Sequence, residues 1–370
     1  MSKLFKVIGL MSGTSLDGVD GAFLTTDGET VAKPGAALTF PYLGETREKL
    51  HAALAAAKSM TRGDPVPPEI VEAERLLTEA HIDLVAHLLA QTRLEPSELD
   101  YIGFHGQTVL HRAAERWTWQ IGDAAALARA TGVVVVSDFR SADVAAGGQG
   151  APFVPLYHLV LARRQKRPLA VVNIGGVANV TYVGDDDTVI AFDTGPGNAA
   201  LDDWAFAHTG ERYDVDGNLA RTGRVDEARL AQLLNHPMFN APPPKSLDRF
   251  DFTASAVDGL SGPDGAATLT AFTAASIARA CEHFPDAPKA WIICGGGRHN
   301  PVMMEALRGR LEGDVKTAED AGWRGDFIEA EAFGYLAVRS VKGLPLSLPS
   351  TTGVPYPMTG GRLHRPWPFI

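Results

Sequence analysis

The residues best suited to chemistry lie in short polar breaks between apolar runs. The first is Gly9-Leu10-Met11-Ser12-Gly13-Thr14-Ser15-Leu16-Asp17-Gly18-Val19-Asp20. Apolar runs at 4–10 and 19–24 flank it, so it reads as strand, tight turn, strand, with Asp17-Gly18 suited to a hairpin. Small and hydroxylic residues leave backbone N–H groups open, and those groups cradle phosphate. Gly13 lets the backbone approach an anion, and Asp17 suits a metal ion or its water. An ordinary polar hairpin would read the same way. No lysine follows the glycines, so this is not a Walker loop.

Asp193 stands at the expected end of a strand over 188–192 and runs into Thr194-Gly195-Pro196-Gly197-Asn198. Open α/β sheets place ligands at that end of a strand. A carboxylate there suits a general base, or simply the cap of a turn. His105, in Phe104-His105-Gly106-Gln107-Thr108, is open to the same two readings, proton transfer or the holding of a loop. Gly147-Gly148-Gln149-Gly150 fits a linker or hinge, or a binding loop that offers backbone groups and an amide to a polar substrate such as a sugar. An apolar strand at 290–294 enters Gly295-Gly296-Gly297-Arg298-His299-Asn300 before a helix, where backbone can lie against a flat ring or an anion. No Gly-x-Ser-x-Gly, His-Glu-x-x-His or Cys-x-x-Cys pattern occurs, which argues against a serine hydrolase and a zinc enzyme.

The elements that must carry these residues alternate in type. Helical spacing covers 45–57 and 68–93, the second with Val71, Leu76, Leu77, Ile82, Leu84, Val85, Leu88 and Leu89 as its buried stripe. Strands are expected at 99–104, 117–121 and 132–137, with a helix at 124–131 between the last two. From 169 the opening pattern restarts, with strands at 169–174, 177–183 and 188–192 and a helix at 199–208. Further helices fall at 226–235, 265–283, 301–310 and 328–341, and the tail from Leu344 is expected to lie extended on the surface. Strands mixed with long helices indicate an α/β fold, and the echo suggests two domains with one phosphate-facing turn each. The 370 residues leave room for both.

Composition narrows the function. With 45% hydrophobic and 21% charged residues the chain reads as globular. A formal charge of −10 without a basic run excludes nucleic acid as the main partner, so phosphate must be bound locally. Cys281 and Cys294 are the only cysteines, which excludes a disulfide framework. No apolar run is long enough for a membrane span or a signal peptide, and a cytoplasmic location is expected.

Six blocks, in order, resemble the anhydro-N-acetylmuramic acid kinase family: Gly9 to Asp20; Phe104-His105-Gly106-Gln107-Thr108; Asp143 to Pro155 around Gly-Gly-Gln-Gly-Ala-Pro; Asn173-Ile174-Gly175-Gly176; Phe192 to Asn198; and Cys294-Gly295-Gly296-Gly297. The resemblance implies a two-domain actin-like ATPase (ribonuclease H-like) α/β fold closing over ATP in a cleft. The expected boundaries put 1–139 and 338–370 in one domain and 140–337 in the other. It implies an ATP- and Mg2+-dependent kinase that opens 1,6-anhydro-N-acetylmuramic acid with water and phosphorylates O6, with Asp193 as the base. Gly13, Thr14, Ser15, Leu16, Asp17, Gly18, Val19 and Asp20 then form the phosphate loop. Gly175, Gly195, Gly197, Asn198, Gly295, Gly296, Gly297 and Asn300 also fall on the nucleotide. His105, Gln107, Asp143, Gln149 and Asn179 fall on the sugar, and Glu329 in Phe327-Ile328-Glu329-Ala330 lies near the reaction. Metal ligands stay unassigned among Asp17, Asp20 and Asp193. The family tends to form homodimers, and its partner is a small amino sugar of cell-wall turnover. One departure stands out: Leu247-Asp248-Arg249-Phe250 occupies the place where Thr-Gly-Arg/Lys-Glu is expected. A non-catalytic nucleotide-binding regulator is the alternative, and Asp193 favours the kinase. A chaperone-like ATPase would need a peptide-binding domain, for which the tail after Val341 leaves no room.

Overall fold

The computed structural model describes residues 3–13 and 15–366. Contacts divide the chain into two compact units, Met1–Val160 with Phe327–Ile370, and Leu161–Asp326. The boundaries therefore differ from the expected 139/140 and 337/338. Residues just past 139 stay with the first unit because Asp143 is buried there and accepts hydrogen bonds from Ser347 and Thr352. The Tyr157 hydroxyl likewise donates to Glu331 at 2.6 Å.

The first unit is built on β1 (Phe5–Ser12), β2 (Gly18–Thr26), β3 (Ala32–Pro41), β4 (Tyr101–Arg112), β5 (Trp117–Ile121) and β6 (Val135–Ser137), with Arg362–His364 as its last strand. The sheet runs from that last strand through β6, β4, β1 and β2 to β3, and β5 pairs with β4. β6, β4 and β1 are parallel; β1, β2 and β3 are antiparallel. Two strands of this sheet, β3 and the last, were not expected. Pro34 and Gly35 disguise β3, whose edge position tolerates them. The tail is not wholly superficial either, since Leu346, Thr351, Thr352 and Val354 are buried. His105 to Thr108 do not end the fourth strand but lie inside it, because β5 folds back and pairs Gln107 with Ile121.

The Pro68–Thr92 helix buries Ile70, Ala73, Leu77, His81, Leu84, Val85 and Leu88, steps of three and four that make one continuous stripe. Val71, expected inside, is 55% exposed because it falls off that stripe.

The second unit carries β7 (Leu169–Ile174), β8 (Val177–Val183), β9 (Val189–Pro196), β10 (Ala290–Cys294) and β11 (Asp314–Thr317). Its order is β11-β10-β7-β8-β9, with β11, β10 and β7 parallel and β7, β8 and β9 antiparallel. That is the order and direction of β6-β4-β1-β2-β3. The sequence echo thus corresponds to a repeated topology.

In the first unit the Ile328–Val341 helix lies directly on the sheet. A Cβ on Gly9 would stand 1.8 Å from the Ala330 carbonyl oxygen, and one on Gly103 would stand 2.1 Å from that of Phe333. Backbone meets backbone, so no side chain can yield. Gly103→Ala is expected to lower stability by about 3 kcal/mol through overpacking. Urea unfolding checks this, and an unchanged midpoint would contradict so close an approach.

Candidate functional site

The second unit presents a polar row. Asn173, Asn179 and Asp193 face one another across β7, β8 and β9. Their chain neighbours Val172, Val180 and Phe192 point to the opposite face and sit in the core. This is the period-two alternation of a strand, applied to three strands at once. Asn173 was missing from the sequence-based candidates, although an asparagine in an otherwise apolar strand was the signal.

Asp193 is held by the segment after Pro242-Pro243-Pro244. Its N–H donates to the Lys245 carbonyl at 2.9 Å, and its Oδ2 accepts from the Leu247 N–H at 2.8 Å. Burial raises its carboxyl pKa to about 7, outweighing the Leu247 hydrogen bond that pulls it down. Among the described residues Oδ1 accepts no hydrogen bond. The unusual Leu247-Asp248-Arg249-Phe250 stretch is explained here: residue 247 serves through its backbone, so its side chain is free to vary. The Asp248 N–H donates to Asp251 Oδ2 at 2.8 Å, and Asp248 Oδ1 accepts from the Phe250 N–H at 3.0 Å, so the loop is self-braced. The Lys245 ammonium donates to the Met238 carbonyl at 3.1 Å and stands 5.4 Å from the Phe192 ring centre.

Three glycine segments converge beside this row. The Gly197 and Asn198 N–H groups donate to the carbonyls of Gly176 and Gly175 at 3.1 and 2.7 Å. A Cβ on Gly197 would lie 2.2 Å from the Gly175 oxygen. Gly195, next to last in β9, pairs with Ala178. Gly295 has φ 72° and opens the turn of Gly296 and Gly297, which packs on Ile174. Buried Arg298 braces that turn, donating to the Gly295 carbonyl at 2.9 Å and pairing with Glu319 and Asp326. Asn300, expected on the nucleotide, instead caps the Pro301–Arg308 helix, its Oδ1 accepting from the Val302 and Met303 N–H groups. The cap consumes its side-chain oxygen.

In the first unit the β1–β2 turn spans 13–17, and Thr14 lies outside the described residues. In the turn Leu16 takes a positive φ, 54°, and its buried side chain pins that residue to the core. Gly18 is the first residue of β2, where a Cβ would meet the Phe40 oxygen at 2.3 Å. Val19 is buried, so it and Leu16 can offer only backbone. Ser15 and Asp17 are exposed. The Asp17 carbonyl accepts from the Tyr42 N–H at 3.0 Å, and Asp20 Oδ1 accepts from Thr39 at 2.5 Å. Buried Ser12 donates to Gln107 Oε1 at 2.5 Å and shares a hydrogen bond with the Tyr42 hydroxyl at 2.7 Å. Gln107 thus helps to hold the turn.

His105 is buried and neutral. Burial and the Arg140 charge hold its pKa well below the usual histidine value. Nδ1 donates to the Gly106 carbonyl at 2.7 Å, and Nε2 accepts from Arg140 Nε at 2.9 Å. The loop-holding reading therefore describes it. Arg140 also donates to the Gly150 carbonyl at 2.6 Å, tying β4 to the glycine-rich loop, and burial lowers its pKa to about 10. Asp143, expected on the sugar, is buried beneath the loop; it accepts from the Gly150 N–H at 2.7 Å, from Thr352 at 2.6 Å and from Ser347. With both oxygens engaged it positions the loop. Gln149 is fixed through its backbone, to Thr352 and His111, at 2.6 and 2.8 Å. Glu329 opens the Ile328–Val341 helix and accepts no hydrogen bond among the described residues. Burial raises its pKa, Arg140 opposes that, and Asp20 adds to it.

Comparison with known proteins gives a consistent result. Residues 5–365 match the sequence model described as anhydro-N-acetylmuramic acid kinase. The protein of that name from Nitrobacter winogradskyi is 56% identical over 366 residues, covering 98% of this chain and all of the relative. That from Bradyrhizobium diazoefficiens is 53% identical over the same length and coverage. Among solved structures, the Acidaminococcus fermentans (R)-2-hydroxyglutaryl-CoA dehydratase component A matches at 12% identity and a TM-score of 0.46, over 90% of this chain and 99% of that one.

Two outcomes follow from the geometry. The Asp193 pKa of about 7 stands above the ordinary 3.8, so between those values the folded state keeps a proton that the unfolded chain has lost. Stability is therefore lost as pH rises through that window, by at most ~4 kcal/mol at about 1.4 kcal/mol per pH unit. Asp193→Asn should gain stability over the native protein as pH rises from 4 to 7.5 in urea titrations; a constant difference would mean a solvated carboxyl. Asp143→Ala leaves the Gly150 N–H and two hydroxyls without their acceptor. It should cost about 3 kcal/mol and open residues 145–152 to limited proteolysis. Native resistance at that loop would contradict its positioning role.

Proposed function

The chain belongs to the anhydro-N-acetylmuramic acid kinase family and is a phosphotransferase; from that premise we propose that it opens 1,6-anhydro-N-acetylmuramic acid with water while transferring the ATP γ-phosphoryl group to O6. Asp193 takes a proton from water, whose oxygen bonds to C1 of the sugar. The C1–O bond of the anhydro bridge breaks, and the bridging oxygen, still on C6, bonds to the γ-phosphorus as ADP leaves. The products are N-acetylmuramic acid 6-phosphate, ADP and one proton, as peptidoglycan recycling requires. The observation that carries this reading is the carboxyl of Asp193. It has one hydrogen bond, a free oxygen and a pKa of about 7, where a base is both ionised and strong enough to act.

The remaining residues support the reading in separate parts. The 13–17 turn and the glycine segments at 175–176, 195–198 and 295–297 offer backbone N–H groups to a nucleotide. Asn179 stands next to the base on the sheet with Asn173 beyond it, and both suit the sugar's polar groups. The His105–Arg140–Asp143 framework holds the Gly147 to Gly150 loop, whose backbone and Gln149 then meet the sugar. Magnesium usually takes one or two carboxylates plus phosphate oxygens. Asp20 and Glu329 fit it, because the first is near enough to raise the pKa of the second. Bound there, magnesium would neutralise phosphate charge. No helix among the described residues is long and apolar enough to cross a membrane. A cytoplasmic homodimer is the form this reading expects.

The test is ADP release with ATP, magnesium and the anhydro sugar, beside a control lacking the sugar. Turnover should depend on the sugar, and kcat/KM should rise as pH increases through about 7, the pKa of the base in the free protein. Asp193→Asn should lower kcat by ~10²–10⁴-fold while ATP still binds. A native protein that binds ATP but releases no ADP would overturn the kinase in favour of a nucleotide-binding regulator.

A further inference from the structure

The 13–17 turn carries one acidic residue, Asp17, and no lysine, yet a triphosphate needs a cation. One stands beside it. β2 begins where β3 ends, Gly18 pairing with Pro41, so the Gly44–Lys58 helix starts next to the turn. Tyr42 fastens that junction through its N–H to Asp17 and its hydroxyl to Ser12. Arg47, in the first turn of the helix, places Nη2 3.6 Å from Asp17 Oδ1, beyond hydrogen-bond length. Its Nε is buried with no hydrogen-bond partner.

Arg112 and Arg279, of similar exposure, are engaged differently. The Arg47 side chain is 32% exposed, against 26% for Arg112 and 27% for Arg279. Arg112 donates to the carbonyls of Met60 and Lys58, and Arg279 to Leu234, Asn240 and Glu282. Arg47 makes no such bond among the described residues. A buried N–H without a partner destabilises the fold. Its pair with Asp17, a residue 71% exposed, is worth little in return. A planar cation with spare donors beside a phosphate-type turn matches a phosphate oxygen pair in shape and charge.

We infer that Arg47 is a nucleotide-contacting residue whose guanidinium donates to the terminal phosphate of ATP at the 13–17 turn. This rests on the kinase reading. Asp17 holds the guanidinium loosely in place until the phosphate supplies a stronger acceptor.

Calorimetric titration of Arg47→Gln with ATP, ADP and adenosine tests it. The Kd for ATP should rise about tenfold or more, as loss of a charge-assisted contact implies. ADP should weaken much less, and adenosine not at all. Arg47→Lys should retain part of the ATP affinity, and guanidinium ion at a non-denaturing concentration should restore part of the kcat/KM lost in Arg47→Gln. Unchanged ATP affinity, or equal weakening toward all three ligands, would overturn the assignment. If Arg47→Gln does not fold, Arg47→Lys decides, since a structural arginine would leave the ratio of ATP to ADP affinity as in the native protein. The titrations need no sugar. A native protein that binds ATP without turnover would thus refute the kinase reading alone.

Discussion

The backbone-to-backbone contact between the Ile328–Val341 helix and strands β1 and β4 constrains the first unit more than any other interaction. Gly9 and Gly103 leave no Cβ, so the helix rests on the sheet itself. A contact of that kind has almost no freedom of rotation or slip, because carbonyl oxygens rather than side chains set the distance. Everything on the helix inherits this placement. Glu329 comes within electrostatic reach of Arg140 and Asp20, Glu331 meets the Tyr157 hydroxyl, and Phe333 lies 4.5 Å from the His105 ring. The helix is far from β1 in the chain, so an inserted second unit is the natural consequence of the fold.

The second unit solves a different problem, that of keeping a carboxylate under-solvated without neutralising it by an ion pair. Asp193 meets one N–H, from Leu247, and a sheet face whose other polar members are amides. An arginine in contact would have lowered its pKa and spent its basicity. The backbone donor gives direction with a weaker pull. It also makes the loop tolerant of sequence, which is why Leu247 can stand where a hydroxylic residue was expected.

Much of this was legible in the sequence, and the reasons are local. β7 and β8 were read to the residue because short apolar runs are bounded there by Gly175-Gly176 and by polar turns. The repeated strand order was visible as an echo for the same reason. β3 was missed because Pro34 and Gly35 break its pattern, and the last strand because only three residues pair with β6. β4 ran on past its apolar run because a long-range partner, β5, continued the ladder. No local signal reports such pairing. Arg140 and Arg47 escaped notice, and Leu247 stood out only as a departure, because their significance lies in what they touch, or fail to touch, across the fold.

That last distinction also sorts the site. A motif residue can be present for chemistry or for the scaffold that holds the chemistry, and sequence does not separate the two. Hydrogen-bond capacity does. Asp143 has three donors on two oxygens, Asn300 gives its oxygen to two helix N–H groups, and Gln107 accepts from Ser12. Each of these atoms already serves the scaffold. Asp193 Oδ1 and the Glu329 carboxyl, which accept no hydrogen bond among the described residues, and the Arg47 Nε, buried without a partner, are the reverse: polar atoms with capacity in hand. Buried atoms of that kind raise the free energy of the folded protein. They are tolerable where a substrate, a nucleotide or a metal ion completes them, and these three sit on or beside the segments that the family pattern marks for such ligands.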